Sequence, residues 1–270
     1  MNANQAVKNI NVSLENSYAI STGCKYVWFS DLHYNKDGGR NDSKPYLQLQ
    51  RDKVFPYYLR QGYRGVVSEV FDLIEARTFD AIWDYTPNRP NIRLLTQLLD
   101  VCIPGNHDRK IGSSKHTALS GWKFADAIRL YDMHGVSVGL SVHGYQADAW
   151  NSGKKLTSVV NWVVRHVWAE WQDRHSAASN LDLGNEIEQY FMGYAGAIGN
   201  ALNRPYLILM GHTHMAKLYR GYNSIYANTG CWTIPNGGHC IEMRDEKLCM
   251  IKWDMLGNRH VMSEVNLCQQ

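Results

Sequence analysis

Five short apolar runs in this chain each stop at a polar cluster. Lys25-Tyr26-Val27-Trp28-Phe29 ends at Ser30-Asp31-Leu32-His33, and Gly65-Val66-Val67 ends at Ser68-Glu69-Val70-Phe71-Asp72. Val101-Cys102-Ile103-Pro104 ends at Gly105-Asn106-His107-Asp108. The alternating run Val136 to Val142 ends at His143-Gly144, and Tyr206 to Met210 ends at Gly211-His212-Thr213-His214. Apolar runs of this length predict strands, the alternating one with a solvent-facing side. Open α/β sheets carry their ligands at the carboxyl ends of such strands.

Helical patterns separate some of these runs. Phe71 to Trp83 is helix-like. Pro90 suits a first helical turn and is followed by a stripe of Leu94, Leu95, Leu98 and Leu99. After Met215 the texture turns to short strands at Lys217–Arg220, Ser224–Ala227, His239–Met243 and Leu248–Trp253, with Arg244-Asp245-Glu246-Lys247 as a hairpin turn. Helices among strands, then a β run, predict an α/β fold: a four-layer α/β/β/α sandwich. The whole chain, 1–270, reads as one domain with a polar N-terminal extension at 1–24.

The stretch 149–204 differs. Leu156, Val159, Val160, Val163, Val164, Val167, Trp168 and Trp171 keep helical spacing, as do Ile187, Tyr190, Phe191, Tyr194, Ile198, Ala201 and Leu202. Two amphipathic helices there read as an inserted helical cap, or more plainly as a helical hairpin packed on the core. Trp162 lies off the stripe, with Lys154, Lys155 and Arg165 nearby. That makes Trp162, Lys154 and Arg165 candidates to line a substrate pocket, or to bring the cap onto a lipid surface or a partner.

Composition removes several classes. A net charge of +3 over 270 residues gives no case for binding nucleic acid by bulk charge. The polar stretch Met1–Thr22 has no apolar centre of the signal-peptide kind, and no run approaches a membrane span. Six widely spaced cysteines without a C-x-x-C are expected to be reduced thiols of a cytoplasmic protein.

Eleven histidines are many, and five of them fall in the strand-terminal clusters. Asp31 and His33 are two residues apart, so both point to one side of an extended chain; His212 and His214 share that relation. Asn106 adds an amide oxygen and His143 another imidazole. A donor set of carboxylate, amide and imidazole without thiolate suits manganese, iron, zinc, nickel or cobalt. Two divalent ions ~3.5–4 Å apart would activate water and neutralise a phosphoryl group.

In their order these clusters resemble the motifs of the calcineurin-like metallophosphoesterase superfamily: D-x-H, G-D-x-x-[D/E], G-N-H-[D/E], a later His, and G-H-x-H. The resemblance runs from about Lys25 to Trp232, and Asn228-Thr229-Gly230-Cys231-Trp232 looks like the segment that follows the family's last motif. It implies a metallophosphoesterase sandwich with two divalent ions, manganese first. Asp31, His33 and His214 would hold one ion, and Asn106, His143 and His212 the other, with Glu69 at the bridging position. A bridging hydroxide would attack phosphorus in line. His107 would be the general acid, with Asp108 orienting it.

The second motif departs from the family: Ser68 stands where the family has Gly, and Glu69 where it has Asp. The cap and the opening Tyr26 to Asp31 look like the branch of UDP-diacylglucosamine pyrophosphohydrolases. That branch, however, reads H-G-D where this chain has His143-Gly144-Tyr145, and commonly has Arg where this chain has His107. The expected substrate is a small phosphate ester, with phosphodiester or pyrophosphate ahead of monoester. Arg109, Lys36 and Arg40 are placed to meet phosphate. A non-catalytic metal-binding scaffold that uses its Trp-rich cap for a partner is the reading from a different class.

Overall fold

Along β2 (Tyr26–Ser30) every residue is buried, but in two directions. Val27 and Phe29 face one core, Tyr26 and Trp28 another. That is the period-two geometry of a strand covered on both faces. The computed structural model describes residues 16–35, 43–72, 79–113, 121–145, 181–233 and 237–267.

β2 sits inside a six-stranded sheet in the order β12 (Arg259–Asn266), β11 (Lys247–Trp253), β10 (His239–Arg244), β2, β3 (Arg64–Ser68), β4 (Leu99–Ile103). A second sheet runs β1 (Ser17–Ser21), β5 (Ala127–Tyr131), β6 (Ser137–Ser141), β7 (Tyr206–Met210), β9 (Ser224–Asn228), β8 (Lys217–Arg220). β2, β3 and β4 are mutually parallel, as are β6, β7 and β9.

Three apolar cores define the layers. The outer face of the first sheet packs Phe29, Val67 and Ile251 against Tyr46 and Leu47 of α1 (Lys44–Leu49), Phe55 and Tyr58 of α2 (Phe55–Arg60), and Ile92, Leu95 and Leu98 of α4 (Arg89–Leu98). Between the sheets, Trp28, Val66, Val101 and Ile241 meet Ile128, Leu207, Leu209 and Ile225. On the far side, Tyr206, Ile208 and Met210 of β7 pack against Ile187, Phe191 and Ala195 of α5 (Leu181–Leu202). The result is the expected α/β/β/α sandwich.

The differences are instructive. Phe71–Asp72 is not helical: Phe71 bridges to Tyr34 and the Asp72 N–H donates to the Tyr34 carbonyl at 3.0 Å. The Phe71 ring is fully buried beside Phe79, Trp83 and Trp122, and the described helix here, α3, spans Phe79–Asp84. The second stripe of the expected cap, in α5, is the outer layer of the sandwich; 146–180, with Lys154, Trp162 and Arg165, lies outside the described residues. Part of the expected N-terminal extension is a strand, since β1 pairs with β5 in parallel. The helical segment Lys44–Arg60 was not evident from periodicity. It passes through a π-turn at Gln50–Val54, just before Pro56, a residue with no N–H to donate.

Among the described residues no helix is long and apolar enough to cross a membrane. The five described cysteines are free thiols.

Candidate metal centre

Asp31, His33, Glu69, His212 and His214 all have left-handed backbone, with φ of 53°, 47°, 57°, 69° and 59°. This region is costly for residues with a Cβ, and it concentrates where surrounding structure forces it. The other described non-glycine residues there are Asn203, Asp245 and Glu246, in turns. The side chains of Asp31 and His33 therefore converge through two left-handed residues around the buried Leu32, not through the extended chain that the i, i+2 spacing implied.

Neighbouring strands pin these turns. Asp31 N–H donates to the Ser68 carbonyl at 2.9 Å, Leu32 N–H to Glu69 at 3.0 Å, and Glu69 N–H to Ile103 at 3.1 Å. The motif glycines leave room for acids. A Cβ on Gly105 would lie 1.8 Å from Glu69 Oε2, and one on Gly211 would lie 2.6 Å from Asp31 Oδ2. Gly105→Ala is therefore expected to displace the Glu69 carboxylate and to lower divalent-ion affinity at least tenfold, measured by chelator competition.

The side chains meet around Glu69. Its Oε1 is 3.3 Å from His33 Nε2 and 3.9 Å from His107 Nε2, and its Oε2 is 3.1 Å from His143 Nε2. Asp31 Oδ1 is 3.3 Å from His214 Nε2, 3.6 Å from His33 Nε2 and 4.0 Å from His143 Nε2. Three overlapping sets offer ligand atoms all within 4.8 Å of one another: Asp31, His33 and His214; His33, Glu69 and His107; Asp31, Glu69 and His143. Asn106 Oδ1 lies 3.2 Å from His143 Nε2, and the His212 ring lies 5.2 Å from that of His143.

Both ring nitrogens of His33 are buried without a hydrogen-bond partner, although carboxylate oxygens stand close by. Buried polar atoms are rarely left so; a cation among these donors would satisfy Nε2, which faces Asp31 and Glu69, while Nδ1 faces Asp72 Oδ2 at 3.5 Å. The residues thus fit divalent metal.

Residues around this cluster hold it in place. Asp72 Oδ1 is 3.0 Å from His107 Nδ1. Asp108, expected to orient His107, instead accepts backbone N–H groups from Gly105 and Val70 at 2.7 Å and from Phe71 at 3.2 Å. Its carboxylate closes the loop, and the orienting acid is Asp72. Asn228 donates to Thr213 Oγ1 at 2.7 Å and to the Gly211 carbonyl at 3.2 Å, clamping the last motif. Buried Glu188 on α5 takes Lys217 at 3.0 Å and contacts Thr213 and Asn228 at 3.4 Å. No motif flagged Glu188; its only signal was an acid inside an apolar helical stripe. Arg109 stacks 4.3 Å over the ring of Tyr145. Lys36 and Arg40 lie outside the described residues.

Charge balances across the cluster. Burial alone would raise Glu69, but His107, His143 and His33 draw it down to about 2. Burial likewise opposes ionisation of Asp31, yet His214, His33 and His143 hold it well below the usual carboxylate range. Burial would lower His33, but Asp31, Asp72 and Glu69 raise it well above its ordinary value, and His107 is raised by Glu69 and Asp72. Raised imidazoles hold stability that is complete below about pH 6.5 and fades as pH climbs through their folded values. Depressed acids hold stability above about pH 4 that fades as pH falls toward about 2. The metal-free protein is therefore expected to lose thermal stability from pH 6 to pH 9. Metal needs neutral imidazole, so the stabilisation by added Mn²⁺ should grow over the same range. Thermal melts in chelator and in Mn²⁺ at several pH values check both slopes.

No family model matches the chain, and no curated protein does. Solved structures do. The chain is similar to YfcE, a phosphoesterase from E. coli, at 14% identity over 90% of this chain and 99% of that one, TM-score 0.47. It is similar to a dimetal phosphatase from Danio rerio at 11% identity over 84% and 95%, TM-score 0.47. An archaeal phosphodiesterase matches at 12% identity over 89% and 98%, TM-score 0.37. The sheet orders and the three cores, rather than these scores, define the fold as a four-layer α/β/β/α sandwich.

Proposed function

We propose that this protein is a dinuclear metal-dependent phosphoesterase, with phosphodiester or pyrophosphate substrates ahead of monoesters. The observation that carries it is the set of overlapping carboxylate–imidazole groups around Glu69, with His33 Nε2 buried without a hydrogen bond among them. Asp31, His33 and His214 would hold one ion, and Asn106, His143 and His212 the second. Glu69 would serve both, because its two oxygens face His33 and His143 respectively. When bound, divalent ions supply Lewis-acid polarisation of phosphoryl oxygen and a water nucleophile at neutral pH. Manganese is the first choice for this oxygen and nitrogen donor set.

The chain's own groups supply the rest. His107 and His214 are partly exposed while Asp31, His33, Glu69 and His143 are buried, so both lie on the open side of the site. Asp72 holds His107 Nδ1 and leaves Nε2 to donate a proton to the leaving oxygen. The Arg109 guanidinium, carried by Tyr145, offers a fork for a phosphate oxygen at the rim. The general acid with its own orienting carboxylate favours an enzyme over a scaffold. Free thiols support a cytoplasmic setting.

The test is hydrolysis of bis(p-nitrophenyl) phosphate, p-nitrophenyl phosphate and a pyrophosphate-linked nucleotide with Mn²⁺. Turnover of the diester or pyrophosphate above the monoester is expected. No turnover of any of the three would sink the proposal.

A further inference from the structure

We infer that Ser68, the residue that departs from the family's glycine, is a positioning residue for the second metal, acting through His143. This rests on the dinuclear reading above. Ser68 Oγ lies 2.7 Å from His143 Nδ1, and both residues are buried. On the opposite edge of the ring, Nε2 faces Glu69 Oε2 at 3.1 Å and Asn106 Oδ1 at 3.2 Å.

An imidazole that gives its Nε2 lone pair to a cation carries its proton on Nδ1, and that proton needs an acceptor. The Ser68 hydroxyl is that acceptor. Such outer partners fix the tautomer and the ring plane, and removing one costs about 10–100-fold in metal affinity. A glycine at this position has no side chain with which to do so.

The placement also explains why Ser68 and Glu69 depart together. Ser68 ends β3 in the first sheet, whereas His143 follows β6 in the second. The Ser68 carbonyl accepts from Asp31 N–H at 2.9 Å. One residue thus fixes a ligand of each proposed ion and joins the two sheets at the site. Glu69 carries one more methylene than the family's Asp, so its carboxylate has more rotamers available. A His143 ring locked from behind keeps its Nε2 lone pair facing Glu69 Oε2, 3.1 Å away, so that both would face one ion.

The experiment is calorimetric titration of Mn²⁺ into metal-free wild type and into Ser68→Ala, Ser68→Gly and Ser68→Thr, with ¹⁵N shifts of the His143 ring recorded alongside. Wild type should take up two ions. Ser68→Ala and Ser68→Gly should weaken one binding step about 10–100-fold and spare the other, with the His143 nitrogens shifted. Ser68→Thr, which keeps the hydroxyl, should restore both steps. Two unchanged steps in Ser68→Ala, equal weakening of both, or failure of Ser68→Thr to restore them would overturn the role of Ser68 alone. Wild type taking up no ions would overturn the dinuclear reading and this inference together.

Discussion

Replacing His107 with alanine is expected to lower kcat by about 10²–10⁴-fold and leave the metal content unchanged. The geometry separates these two outcomes. His107 Nε2 stands 3.9 Å from Glu69 Oε1, farther than His33 or His143, and its Nδ1 is engaged by Asp72 at 3.0 Å. Its loss breaks up the group it forms with His33 and Glu69 but leaves the groups Asp31–His33–His214 and Asp31–Glu69–His143 whole. Asp72→Asn should show part of the same loss, because the amide keeps the contact but not the charge that supports a protonated ring. Asp108→Asn should behave differently. Its carboxylate holds three backbone N–H groups, so the main effect should be on thermal stability. Steady-state kinetics with metal analysis of the three variants checks the ordering. A His107→Ala enzyme with full turnover would remove the general acid from the account.

Shortening the central acid should be nearly as severe. Glu69→Asp withdraws the carboxylate by about one C–C bond, ~1.5 Å. The Glu69 carboxylate touches three other segments: His33, the His107 N–H at 3.1 Å, and His143. The backbone cannot follow easily, because Glu69 N–H and C=O are both bonded to neighbouring segments. A displacement of about 1 Å in a catalytic assembly can cost about 10²-fold. A loss of that size in kcat/KM is expected even though Asp stands at this position in the motif that the sequence resembles. Equal or higher activity in Glu69→Asp would mean that the β3 end retreats freely.

Much of this was readable before the fold was known. The apolar runs located β2, β3, β4, β6 and β7, and their polar ends named the residues that converge. Two-sided burial hid little, because runs such as Tyr206–Met210 are apolar throughout. Other elements gave weaker patterns. β12 is largely exposed and β1 is a five-residue edge strand, so neither carries a continuous apolar signal. The site's backbone was not legible at all. Periodicity reports which face a residue takes in regular structure, and five of the converging residues are left-handed. Asp108 follows His107 directly, so the sequence favoured it as partner; the fold brings Asp72 there instead, from 35 positions away. In sequence Ser68 is only a departure from the motif, because its partner His143 lies 75 positions away.

The central claim is that Glu69 sits between two divalent ions. Anomalous diffraction from crystals grown with Mn²⁺ tests it most directly. The account predicts two peaks ~3.5–4 Å apart, one beside Asp31, His33 and His214 and the other beside Asn106, His143 and His212, with a Glu69 oxygen on each. No peak at this cluster, or a single peak that Glu69 does not touch, would contradict it.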